Sequence, residues 1–191
     1  MADEQNKTDL LLLGSSHFSE RHHFKKQFLE ERKDDRIGDI TISSVSGGHL
    51  TQRSIDFALD FVYQRRHRPL IIIVMLACNA VRQNIPNNRI MQRHARLLEC
   101  LKNYSHVRVV LCGLIPCPRT DPWTKKTFKD LNLNMKSLAS GGASFFNTAR
   151  FFVHEGQIKT YLFKDGLHLN KEGSHLLVSR LHVFLERMLD H

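Results

Sequence analysis

The stretch PLIIIVMLAC, residues 69 to 78, is the strongest constraint the chain places on its own fold. Ten residues are too few to cross a bilayer, and the β-branched run Ile71 to Val74 favours a strand buried on both faces. Runs of the same kind recur as LLLL at 10–13, DITISSV at 39–45, VRVVLCGLI at 107–115 and ASFFN at 143–147, with longer amphipathic segments between them. Strands that alternate with helices build a parallel sheet covered on both sides. The pattern therefore predicts a three-layer α/β/α fold on a five-stranded parallel sheet, with helices over about 18–33, 50–66, 87–103, 124–139 and 171–189. In the last of these, Leu177, Leu181, Phe184 and Met188 share one face, and Asn170 stands at the N-cap position.

A chain of 191 residues with 41% hydrophobic residues suits a single globular domain. We expect a flexible N-terminus over 1–8 and one domain over 9–191. The start MADEQNKTDL lacks the basic and apolar regions of a secretory signal, and the four cysteines have no C-x-x-C spacing. Both features lead us to expect a reduced, intracellular protein. His22 and His23 are adjacent rather than one helical turn apart, and no Gly-rich phosphate loop is present. No metal and no cofactor is expected.

In an open parallel sheet, chemistry gathers in the loops that follow the strands. Here they read GSSH, SGGH, ACNAVRQN and IPCPRTDPW, and a further loop, FKDGLHLNKEG, leads into the last helix. Taken together these blocks resemble those of the SGNH, or GDSL-type, hydrolases, serine esterases and lipases on a flavodoxin-like sheet. The resemblance places Ser16 of Gly14-Ser15-Ser16 as the nucleophile, with Ser15 where the family carries an aspartate. It makes Gly47 and Asn79 oxyanion donors together with the backbone N–H of Ser16, and Asp165 and His168 the acid and base of the last block. Ala77 and Ala80 replace a glycine and an aspartate around Asn79. The ending FKDGLHLNKEGSHLL is similar to two groups within this fold: esterase domains of retrotransposon first-reading-frame proteins and the RNA-binding carboxy-terminal domain of Oskar.

The chemistry explains the set. A serine hydroxyl needs a histidine to take its proton as it attacks a carbonyl, and a carboxylate to hold the imidazole's tautomer. Two readings follow from the resemblance. One is an esterase acting on a small ester, acetyl-like in its acyl part. The other is a catalytically degenerate domain that binds RNA or another polyanion, since 28 Lys and Arg against 19 Asp and Glu give a net charge of +9. The basic residues that would meet phosphates are Arg21, Lys25, Lys26, Arg65, Arg66, Arg68, Arg93, Arg96, Lys125 and Lys126.

Overall fold

In the computed structural model, strand β1 (Thr8–Gly14) and strand β3 (Leu70–Met75) are buried at every position, as the apolar runs LLLL and LIIIVM require. The structure describes residues 6–15, 18, 23–31, 34–44, 48–119 and 121–190. β1 lies between β2 (Ile37–Ser44) and β3, followed outward by β4 (Val107–Cys112) and β5 (Ser144–Phe146). All four pairings are parallel, and the order β2-β1-β3-β4-β5 is that of a flavodoxin-like sheet. Alternation along each strand sends Leu10, Leu12, Ile71 and Ile73 to one face and Leu11, Leu13, Ile72 and Val74 to the other.

Helices α1 (Phe24–Glu30) and α7 (Lys171–Leu189) cover the first face, while α2 (Gln52–Gln64) and α4 (Asn87–Leu101) cover the second. In α7, Leu177 and Leu181 are fully buried with Phe184 and Met188 packed beside them, and Asn170 caps its start by accepting from Gly173 N–H at 2.9 Å. Helix α5 (Pro122–Ala139) begins at Asp121, which accepts from Thr124 N–H at 2.9 Å.

The elements differ from expectation where local geometry overrules the pattern. α1 starts at Phe24 rather than near 18, because His23 holds a left-handed φ of 64°, which a helix interior excludes. β4 stops at Cys112 instead of running to 115. There the Asn132 side chain of α5 takes over, accepting from Leu114 N–H at 2.6 Å and donating to Leu114 O at 3.2 Å. Short α3 (Cys78–Arg82), α6 (Ala149–Phe152) and a hairpin of β6 (Val153–His154) with β7 (Gln157–Ile158) were not anticipated. Each is too brief for a period to show. Among the described residues no helix is long and apolar enough to cross a membrane.

At the amino end of the sheet, Asp9 is wholly buried. It meets Arg65 Nε at 3.3 Å and Arg68 Nη2 at 3.4 Å, and accepts from Asp39 N–H at 2.9 Å.

Candidate active site

At the opposite end of the sheet, the loop entering α7 folds on itself. Asp165 Oδ1 accepts from the backbone N–H groups of Leu167 (2.9 Å) and His168 (2.6 Å), while Oδ2 lies 2.8 Å from His168 Nδ1. Gly166 makes the turn possible with its φ of 74°. Desolvation alone would raise the Asp165 pKa, but the hydrogen bonds from the His168 ring and the two backbone N–H groups prevail and hold its carboxyl well below the usual carboxylate range. The imidazole thus presents Nδ1 to the carboxylate.

The loop after β4 pins this turn in place. Arg119 N–H donates to Gly166 O at 2.9 Å, and the Cys117 thiol donates to Leu167 O at 3.4 Å. Burial, reinforced by neighbouring Cys78 and opposed by Arg82, pushes the Cys117 thiol up to about 12. It therefore serves as a neutral donor, not as a nucleophile. A single cysteine in a proline-flanked loop carries no pattern that reveals this role.

The first loop rests on the same support. Phe18, Cys117, Phe163 and Leu169 belong to one core cluster, which packs the first, fourth and last loops on a common base. A Cβ on Gly14 would overlap the Phe18 ring, so glycine at the end of β1 is required by that ring's approach. Ser15 is buried, donates its N–H to Met75 O at the end of β3 (3.2 Å) and accepts from Phe18 N–H at 3.0 Å. Ser16 and Gly47 lie outside the described residues, as does Arg21.

Asn79 sits in the first turn of α3 and donates its Nδ2–H to Gly48 O at 3.1 Å, which ties the second loop to the third. Ala77 and Ala80 are buried in one cluster with Leu114, just after β4, and with Phe128 and Leu131 of α5. Small side chains at these two positions are what allow α3 to pack there. Beside Gly14 and Gly48 opens a cleft of about 590 Å³, with Leu13, Phe57 and Leu76 among its apolar walls and His49, Arg53 and Gln83 among its polar ones. Burial and the nearby charge of Arg93 lower the His49 pKa, partly offset by a hydrogen bond with Gln83. His49 stands in the quoted block SGGH, yet nothing in its spacing separates it from the other histidines.

The basic residues do not converge. Lys25 and Lys26 ride on α1, over one face of the sheet, whereas Arg93 and Arg96 on α4 lie over the other. Arg65 and Arg68 are engaged with Asp9, and the Arg65 guanidinium also lies 3.9 Å from the Phe61 ring centre. Arg66 stacks on Tyr63 at 5.0 Å, while Lys125 and Lys126 are exposed on α5. Among the described residues, no three His, Cys, Asp or Glu side chains gather to hold a metal.

The profile of the GDSL-like lipase/acylhydrolase family matches residues 14–176, from the glycine that ends β1 into α7. The chain belongs to that family. As a GDSL-like hydrolase it is an ester hydrolase of the serine type. No curated protein matches it in sequence. Among solved structures it is similar to the esterase EstA from Pseudoalteromonas sp., with 13% identity and a TM-score of 0.73 over 96% of this chain and 99% of that one. A GDSL-like lipase from Bacteroides thetaiotaomicron shows 16% identity and a TM-score of 0.72 over 98% and 90%. The acetylxylan esterase Axe2 from Geobacillus stearothermophilus shows 13% and 0.72 over 91% of each chain. At these identities the likeness is one of fold, and it covers 90% or more of each of these chains.

Proposed function

We propose that this GDSL hydrolase cleaves small acyl esters, acetyl-like in the acyl part, through Ser16, His168 and Asp165. The observation that carries the reading is the 2.8 Å contact of His168 Nδ1 with Asp165 Oδ2 at the carboxyl end of the sheet. Ser16 follows β1 with only Ser15 between, and Ser15 is itself tied to the end of β3. In the reaction, Ser16 Oγ attacks the acyl carbon as His168 Nε2 takes the hydroxyl proton, and Asp165 stabilises the imidazolium that forms. The oxyanion would be met by the N–H groups of Ser16 and Gly47 and by the second hydrogen of Asn79 Nδ2, the first being held by Gly48 O. His168 then gives its proton to the leaving alcohol, and water, activated by the same nitrogen, releases the carboxylate and restores Ser16.

The cleft lined by Leu13, Phe57 and Leu76 would receive the ester. An acetyl-sized acyl group is favoured by the fold shared with Axe2, an acetylxylan esterase. EstA is described as inhibited by monoethylphosphonate, which makes a phosphonate the natural probe. The test is labelling by a fluorophosphonate together with turnover of an activated acetyl ester, each compared with Ser16→Ala. Label and turnover in the wild type alone support the reading. A wild type that neither labels nor exceeds the variant ends it.

A further inference from the structure

We propose that the β5 edge of the sheet is a docking groove for an acidic, extended peptide segment of a partner protein. A groove of about 630 Å³ runs between β5 and α7, and among the described residues Arg108, Arg150, Arg180 and Arg187 line it with no Asp or Glu in its walls. Among the described residues none of these four arginines makes an ion pair. Three of them are instead held by neutral groups: Arg108 donates to the Met188 carbonyl, while Arg150 and Arg180 lie 4.8 and 5.6 Å from the Phe151 ring centre. Cations fixed in this way lose little side-chain freedom on meeting an anion.

A second groove of about 600 Å³ continues past the strand, sharing Phe145, Asn147 and Arg150 with the first. Lys125, Lys129 and Lys136 line it, again with no acidic wall. Such a band is too long for one small anion and fits a chain of negative charges. Two further features select a peptide. Among the described residues β5 pairs only with β4, so its outer edge offers backbone groups that an added strand can bond. The floor is apolar, with Phe146 and Phe184 in the first groove and exposed Leu133 in the second, so apolar side chains can alternate with acidic ones along the guest strand.

The test uses the full chain and a fluorescein-labelled octapeptide that alternates glutamate and valine, read by fluorescence anisotropy. Saturable binding is expected, weaker by at least about tenfold in the double variant Arg150→Glu/Arg180→Glu and weakened by added salt. Both arginines are exposed, so the variant's melting temperature should match the wild type. N-methylation of alternate peptide amides should cost about tenfold or more as well, because strand addition needs those groups. The proposal fails if the peptide does not bind, if the double variant binds it equally, or if the N-methylated peptide binds as well as the parent. It also fails if a single-stranded oligonucleotide of equal charge binds more tightly than the peptide.

Discussion

Asp165 and Asp9 occupy opposite ends of the sheet, and each holds a basic side chain close by. Asp165, with 41% of its side chain exposed, is bonded by its own loop and holds the imidazole of His168. Asp9 is fully buried, takes two arginines from the α2–β3 connection and aims nothing at solvent. In the first arrangement the carboxylate orients one imidazole, the proposed base. The second closes a charge balance inside the fold, where an unpaired ion would be costly. In open parallel sheets ligands bind outside the carboxyl ends of the strands, the end at which Asp165 lies and Asp9 does not.

The widest separation should come from His168→Ala. We expect ester turnover to fall by about 10⁴-fold or more while the melting temperature stays within about 2 °C. A parallel fall in melting temperature, measured by calorimetry, would make the loop part of the scaffold and dissolve the contrast. Next, Asn79→Ala should lower kcat by about 10²- to 10³-fold, roughly 3 to 4 kcal/mol, if its amide meets the oxyanion. Asp9→Ala is the mirror experiment. It should cost about 3 kcal/mol in urea unfolding, since Arg65 and Arg68 are left facing a buried gap, yet leave kcat/KM within about twofold.

The smallest effect concerns acid. Because the folded Asp165 is held below its unfolded value of about 3.9, the stability it adds is fully present above that pH and is lost only as pH falls through the lower folded value. Between about pH 5 and 8 Asp165 therefore stays ionised, and any acid loss of activity there belongs to another group. A wild-type pH–rate profile with a step near pH 4 that disappears in Asp165→Asn would contradict this.

Strand positions were legible because long apolar runs such as LIIIVM have one stable destination, the middle of a covered sheet. The Asp165–His168 pair was legible because its members are three residues apart in the chain. Features assembled from distant segments were not. Arg65 and Arg68 read as free charge because Asp9, which neutralises them, lies more than fifty residues earlier at the head of an apolar run. The four-arginine groove stayed hidden for the same reason, since β4, α6 and α7 each supply part of it. His23 shortened α1 through a backbone angle that composition does not encode.

The hydrogen bonds of Asp165 all close within Asp165–His168, which has a consequence for the order of assembly. A turn that short costs little loop-closure entropy and can form while the rest of the chain is still unfolded. β1, by contrast, is held between β2 and β3 through contacts that are far apart in sequence. In refolding, the loop of the proposed base would then form before the strand that leads to Ser16, the proposed nucleophile. The time at which phosphonate reactivity returns would then mark the closure of the sheet around β1, a milestone that helix content alone would not register.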